Sequence, residues 1–504
     1  MEGKCTVDAE LSDQISALLE SPSPNQGLGF SDESEPPCLK QEYFEELLKS
    51  RKCVGLKVKP ESDLGKGLYA DVEFGEGVLV LKDQMLVGAQ HSSNKVDCLV
   101  CSYCFRFIGS VELQIGRKIY LQELGLSSTD ECPSSPMDGL QDSSNGDHDN
   151  LGTCSSSDLK ERIPLPKEIV ASLMNGQLAL PYSEQFALPS LVPCPGSCGE
   201  AYYCSKLCAG TDWDQSHSLL CTGEGSRAIC REALMKFVEH ANETNDIFLL
   251  AAKAIAFTIL RYQKLKVYGL QDQRQDEHAR RNGKSSLLGW AWCTVSMAKF
   301  WSRLSMCGLL TTWWWECVAL PEDVDCCDEV SFRKQIRDLA SMSLQLLKEA
   351  IYDKECAPLF SLDIYGHIIG MFELNNLDLV VASPVEDYFL YIDDLPPDDK
   401  ETAERITRPI LDALGDDYLV CCQGSAFFPL QSCMNHSCQP NAKAFKRDED
   451  RDGQATIIAL RTILKGEEIT VSYIDENLPL EDRRTQLADY GFECRCAKCK
   501  EEDQ

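Results

Sequence analysis

Hydrophobic and polar positions alternate across Cys53–Val87 in three short runs, VGLKVKP, KGLYADVEF and GVLVLKDQMLV, punctuated by Gly65, Gly67, Gly75 and Gly77. A period of two marks half-buried strands, and glycine between such runs marks turns. The period changes to that of a helix over 226–268 and 331–357. In the first of these Leu234, Phe237 and Val238, then Ile247, Leu250, Ala254 and Phe257, recur every three or four residues, and Asp246 stands where a cap for the second group is wanted. A β-rich segment is expected after residue 360. It includes Ala455–Ile474, where ATIIALRTI, a KGEE turn and ITVSYID follow one another. Between them Asp393–Asp417 reads as an acidic helical connector, and Pro396-Pro397 as a turn. Residues 1–50 read as a polar tail entering one helix near Gln41–Ser50. Ser127–Ser157 is rich in Ser, Asp and Gly and holds too few large apolar residues to order itself, so a disordered insertion is expected at about 126–160. Six of the seven tryptophans lie within Trp290–Trp315, a tract expected to be a buried helical insert.

Composition narrows this picture. A chain of 504 residues is long enough for two to four lobes with real cores. Eighty acidic residues against 49 basic give a net charge of -31, which argues against direct, sequence-specific nucleic-acid binding and favours encounter with basic partners. The first residues lack a basic region followed by an apolar run, so no secretory signal is expected. No membrane span is expected either, because Lys299, Arg303 and Glu316 interrupt the longest apolar tract, Leu287 to Leu320.

The 27 cysteines then need another explanation than disulfides. Cys204-x3-Cys208 is followed by His217-x3-Cys221, and Cys101-x2-Cys104 and Cys194-x3-Cys198 precede them. Zinc takes four thiolate or imidazole ligands in a tetrahedron, and short pairs on turns bring two ligands together. Buried free thiols are the plainer alternative, but paired spacing ending in His-x3-Cys favours metal. The order of these eight ligands resembles a MYND finger, in which alternating pairs share two interleaved zinc ions. About ninety residues separate its first two pairs, and Cys98 is a possible substitute for Cys101 or Cys104. A second cluster, Cys494-x-Cys496-x2-Cys499, is one ligand short of a tetrahedron, and Cys438 is the best candidate for the fourth.

Cys438 lies in NHSCQPN at 435–441, followed by GEEITVSYID at 466–475 and YGFECRCAKC at 490–499, while GKGLYA stands at 65–70. Together these motifs resemble the core of a SET-domain lysine methyltransferase. With the finger between the SET halves, the chain is similar to the SMYD arrangement, and most of all to the plant trithorax-related SET/MYND proteins. The resemblance implies an α+β fold: small twisted sheets split by the finger and by helical inserts, closed by a cysteine-rich post-SET segment. The expected boundaries are a tail and helix over 1–50, a first SET segment over 51–97, the finger over 98–221, a helical insert over 222–358, the SET catalytic segment over 359–480 and the post-SET zinc segment over 481–504.

It also implies a function: S-adenosylmethionine-dependent methylation of lysine on histone H3 or another basic tail, with three zinc ions. Tyr473 matches the family tyrosine at the mouth between the two substrates, and Tyr490 a second channel tyrosine. Asn435 and His436 match residues that hold the cofactor. Lys66 and Gly67 match the loop beside its carboxylate, Phe492 an aromatic against adenine, and Ser432 and Asn375 further contacts. Asn376 competes with Asn375 for that role, and Leu377 replaces the usual aromatic after it. The finger implies binding of proline-containing peptides or transcription factors. The resemblance also places the protein in the nucleus as a chromatin regulator, with a cytoplasmic pool as a second location. The competing reading is a peptide-binding transcriptional adaptor whose SET half is weak or inactive. The presence of NHSC, Tyr473 and the terminal cysteine triad favours the enzyme.

Overall fold

The computed structural model describes residues 39–61, 65–125, 164–275, 314–318, 320, 328–447, 449–488 and 490–503. The insertion expected at 126–160 and most of the tryptophan tract lie outside the described residues. Helix α1 (Leu39–Ser50) buries Phe44 and Leu48 against the first strands. Strands β1 (Leu56–Glu61) and β2 (Gly65–Ala70) pair antiparallel, with Leu56 opposite Ala70 and Val58 opposite Leu68. These four side chains are buried, as period-two alternation dictates. Strands β3 (Leu79–Asp83) and β4 (Val87–Gln90) end the first segment.

Helices α2 (Val111–Glu123) and α3 (Lys167–Met174) flank the finger, which contains a two-residue hairpin, Val192–Pro193 against Tyr202–Tyr203, and helix α4 (Lys206–Asp212). The helical stretch expected over 226–268 consists of α5 (Arg231–Thr244) and α6 (Ile247–Gln275), parted at the expected cap position. Asp246 does not cap α6. Asn245 Oδ1 accepts from the Ile247 N–H, while the Asp246 carboxylate accepts from the backbone and hydroxyl of Ser92. Helix α6 is buried on nearly all sides through Leu260, which makes it the axle of the main core. Helix α7 (Glu329–Ile351) follows.

The β-rich expectation after residue 360 is overturned in its first half. Helix α8 (Leu362–Asn375), capped by Ser361, comes first, and then strand β5 (Asn376–Val381). Helix α9 (Pro384–Asp393), capped by Ser383, and helix α10 (Pro397–Leu414) complete this half. The run LDIYGHIIGMFEL is apolar around most of its circumference, with Asp363 and His367 on the narrow remaining face, so its period is hard to tell from that of a buried strand. Pro396-Pro397 is the start of α10 rather than a plain turn, since proline fits a first helical turn that has amides to spare. Helix α10 is no free connector: Ala403, Ile410, Ala413 and Leu414 are buried in a satellite core with α2, α3 and α9.

Strands β6 (Cys422–Phe427), β7 (Asn435–His436), β8 (Ala442–Ala444), β9 (Ala455–Ala459) and β10 (Thr470–Val471) precede helices α11 (Leu480–Ala488) and α12 (Ala497–Glu502). The sheets join what the sequence separates. Strand β3 pairs with β9 in the order β8-β9-β3, and β4 pairs with β6 in the order β4-β6-β5. Strands β7 and β10 form a short parallel pair. The first segment is therefore part of the same body as residues 422–471, although more than 300 residues lie between the partners. Of the tryptophan tract, Trp314 is buried against Gly366, where an added Cβ would overlap the indole.

Candidate active site and metal centres

Three four-residue ligand sets assemble among the described residues: Cys101, Cys104, Cys204 and Cys208; Cys194, Cys198, His217 and Cys221; and Cys438, Cys494, Cys496 and Cys499. The first two use alternate pairs, the interleaved order the finger implies. Cys98 is not the substitute: its thiol faces the Val420 carbonyl. Sulfur separations are 3.6 Å for Cys104–Cys204, 3.5 Å for Cys204–Cys208, 3.7 Å for Cys194–Cys221 and 3.5 Å for Cys438–Cys499. A tetrahedron with Zn–S of about 2.3 Å has edges of roughly 3.8 Å, so all three sets fit zinc.

Local chemistry builds these sets. Ser205 caps α4 and accepts from the Cys208 N–H, which fixes the helical turn linking Cys204 to Cys208. Backbone N–H groups of Gly196, Ala201 and Gly223 donate to the sulfurs of Cys194, Cys198 and Cys221, the outer contacts that hold thiolates in place. Gly196 must be glycine, since a Cβ there would lie 2.5 Å from Cys221 Sγ.

The second focus forms where β7 lies beside β10. The pairing of Val471 with His436 brings the Tyr473 N–H to His436 Nδ1 at 3.0 Å. The other ring nitrogen, Nε2, lies 3.2 Å from Cys438 Sγ. Burial, together with the Arg483 guanidinium, lowers the His436 pKa to about 4, so the ring is neutral. Neutral imidazole that accepts at Nδ1 carries its proton on Nε2, toward the sulfur. The Tyr473 hydroxyl donates to the Met434 carbonyl at 2.5 Å. Tyr490 lies against Tyr473, ring centroids 5.2 Å apart, and its hydroxyl donates to the Tyr473 carbonyl at 3.4 Å. Phe492 approaches both His436 (5.9 Å) and Tyr473 (6.3 Å).

Asn435 Nδ2 donates to the Lys66 carbonyl at 3.1 Å and to Glu468 Oε1 at 2.6 Å, which ties the GKG strand to NHSC. A Cβ at Gly67 would sit 2.8 Å from the Tyr69 ring and 2.9 Å from Glu468 Oε1, so a larger residue there would displace the carboxylate that Asn435 donates to. Lys66 Nζ lies 4.7 Å above the Phe44 ring of α1. Ser432 sits in the single turn Gln431–Cys433 and donates to the Pro429 carbonyl. Asn375 stands apart: it ends α8 with its amide folded back on the Met371 carbonyl, and no hydrogen bond joins it to Asn435, His436 or Tyr473 among the described residues. Asn376 opens β5 opposite Phe427, and Leu377 packs with Leu379 and Phe105.

Sequence reasoning missed two residues here. Asp83 is fully buried, accepts from the backbone N–H groups of Leu430 (2.8 Å) and Gln431 (3.0 Å), and pairs with Arg51. It fixes the turn that carries Ser432. A charge ending the apolar run LVLKD was the available signal. Arg483, 1% exposed, touches the third cysteine set; nothing in its neighbourhood of charged residues advertised burial.

These features define a class: a SET-type methyl-transfer core built from two distant chain segments, with a zinc finger between them. A SET domain matches residues 271–474 and a MYND finger residues 185–221. The chain is 61% identical over 463 residues to histone-lysine N-methyltransferase ATXR2 of Arabidopsis thaliana, covering 92% of this chain and 93% of that protein. It is also 29% identical over 174 residues to mouse protein-lysine N-trimethyltransferase SMYD5, covering 33% of this chain and 41% of that protein. Human N-lysine methyltransferase SMYD2 is 42% identical over 82 residues, covering 16% of this chain and 18% of that protein. The chain belongs to the SET-and-MYND family of protein-lysine methyltransferases. It is an enzyme that uses S-adenosylmethionine, and it carries a zinc-binding MYND finger; its three cysteine-rich sets have the ligand types zinc takes. Cys101 and Cys104 lie outside the matched finger, and β1 to β4 outside the matched SET region; the tertiary pairing restores both. No helix of the described residues is long and apolar enough to cross a membrane.

Proposed function

We propose that the protein methylates lysine on the tail of histone H3 in the nucleus, with Tyr473 as the residue that orients the attacking amine. The observation that carries this reading is the cluster of Tyr473, Tyr490, His436 and Phe492, with the Tyr473 hydroxyl on the Met434 carbonyl and Asn435 joined to Lys66 beside it. S-adenosylmethionine supplies a sulfonium-bound methyl group. The donors present suit it: a lysine ammonium at Lys66 for its carboxylate, a close backbone approach at Gly67, the Ser432 turn, and the Phe492 ring for adenine. Asn435 and His436 hold the wall between them.

A lysine amine has a reference pKa of about 10.4, and desolvation lowers it toward the neutral form that attacks. The aromatic faces of Tyr473 and Tyr490 accept the ammonium before it loses its proton. The Tyr473 hydroxyl spends its hydrogen on Met434, which leaves its lone pairs to receive an N–H from the amine. Its part is alignment, the main demand of an in-line displacement. The chain's net charge of -31 favours encounter with a basic tail, and the finger would add contacts to proline-containing peptides.

The test is transfer of labelled methyl from the cofactor to free histones, nucleosomes and non-histone basic peptides, with the modified lysine located by mass spectrometry. Label on an H3 lysine is expected. Efficient methylation of non-histone proteins with none on H3 would overturn the substrate. Cofactor binding without any transfer would favour the adaptor.

A further inference from the structure

The third cysteine set, with zinc bound, is an anionic centre that is partly buried. Four thiolates on one Zn2+ leave a net charge of minus two, and such a charge is costly to bury without a counter-ion. Cys438 and Cys499 are both buried, so half of this centre faces the interior. The largest fully buried side chain of the described residues, Arg483, stands beside it. Arg483 projects from α11. Its Nη1 donates to the Leu478 carbonyl at 2.5 Å, and its Nη2 approaches Cys499 Sγ at 3.8 Å and donates to Glu502 Oε2 at 2.6 Å. Its Nε meets no acceptor among the described residues. An arginine that is buried with one N–H unsatisfied is held there by something other than hydrogen-bond count. Glu502, its carboxylate partner, is more than a third exposed, so water screens that pair and it contributes little to holding the charge inside. The neighbouring Arg484–Asp503 pair repeats the link from α11 to the last residues at the surface.

We propose that Arg483 is the counter-charge of the post-SET zinc centre: it offsets the tetrathiolate, slows loss of the metal, and through Glu502 clamps α12 over the site. It acts through the metal ligands and is a positioning residue. The inference rests on the zinc reading of Cys438, Cys494, Cys496 and Cys499. Guanidinium is suited to the task because its planar fork serves several acceptors at once, which a lysine ammonium at the end of a flexible stem cannot reproduce.

The experiment follows zinc release from the full chain to a chromophoric chelator, for wild type, Arg483→Met, Arg483→Lys and Glu502→Gln. The two finger ions serve as an internal control, and circular dichroism monitors the fold. Wild type should release three zinc ions per chain. Arg483→Met should release one of the three at least tenfold faster, with the other two unchanged. Arg483→Lys should recover part of that loss, and Glu502→Gln should change the rate less than Arg483→Met does. If Arg483→Met does not fold, the acceleration in Arg483→Lys decides, since it keeps a cation and loses only the fork. Three ions in wild type with unchanged release in both Arg483 variants would overturn the role of Arg483 alone. So would uniform acceleration of all three ions, which reports general loosening. Two ions in wild type would overturn the zinc reading of this cluster, and the proposal with it.

Discussion

The two tyrosines of the proposed site illustrate how a side chain's role depends on its partners. A tyrosine in a strand ordinarily packs by its ring, but Tyr473 also places its hydroxyl on a backbone carbonyl in a turn beside the proposed cofactor wall. Tyr473→Phe keeps the ring contacts with His436 and Tyr490 and removes that hydroxyl. Cofactor affinity by isothermal titration should change little. Turnover should fall by one to three orders of magnitude, roughly 1.4–4 kcal/mol of barrier, the scale of losing one oriented catalytic group. Near-wild-type turnover would remove the hydroxyl from the mechanism. Glu373, on α8, is a different case. Burial raises its pKa to about 7, and no hydrogen bond reaches its carboxylate among the described residues. The folded state therefore holds this proton more tightly than the unfolded chain, whose carboxyl titrates near its usual 4.5. Stability from this group is complete below that value, falls as pH rises through the window up to about 7, and is constant above it. Glu373→Gln stays neutral throughout. Its advantage in thermal midpoint over wild type should thus be small near pH 5, grow with pH, and level off above about pH 7. A difference independent of pH would show that Glu373 titrates normally.

At the scale of elements, strands were legible where one face is wet. The run VGLKVKP alternates because one side packs and the other meets solvent, whereas the ATIIA strand is buried on both faces in the middle of its sheet and was read from its β-branched residues and the KGEE turn after it. Helix α10 was legible for the same reason as VGLKVKP, with Ala403, Ile410 and Leu414 on a single face. Helix α8 was not, because burial of most of its circumference blurs the period that distinguishes helix from strand. The break between α5 and α6 was legible from the cap-type residue at Asp246, but which residue caps was not, since Asn245 and Asp246 are both cap residues by type. What ends α5 is the use of Asp246 by Ser92 and of Asn245 by the next helix, both tertiary or capping contacts. Cysteine pairs behaved as local elements, each set by a short turn. Their spacing led to eleven of the twelve ligands, and the tetrahedron's missing fourth corner led to Cys438.

At the scale of the molecule, the finger is stitched into the SET body. The Cys104 carbonyl accepts from the Gly453 N–H at 2.8 Å, Tyr103 is bonded by Gln84 at 2.7 Å, and the turn Trp213–His217 packs on α6. Loss of the zinc at Cys101, Cys104, Cys204 and Cys208 should therefore reach the catalytic half, because metal binding and local folding are one event in so small a site. Cys204→Ser should lower the thermal midpoint by about 4 °C or more, as a loss of ~2 kcal/mol would. Turnover on a short H3 peptide should fall by the same factor as on nucleosomes. Peptide turnover that stays at the wild-type level while nucleosome turnover falls would instead make the finger a separable docking module. The sequence by itself determined the chemistry of this protein: ligand types and their short-range spacing, the NHSC and SYID motifs, and the alternating strands, all of which depend on neighbours a few residues apart. Only the tertiary structure decided how ligand pairs about ninety residues apart come together, how β3 and β4 rejoin β9 and β6 across the finger, and which charges are buried. Asp83 and Arg483 are read as ordinary polar residues in the chain, and acquire their roles because the fold removes water from around them and leaves backbone amides or thiolates as their partners.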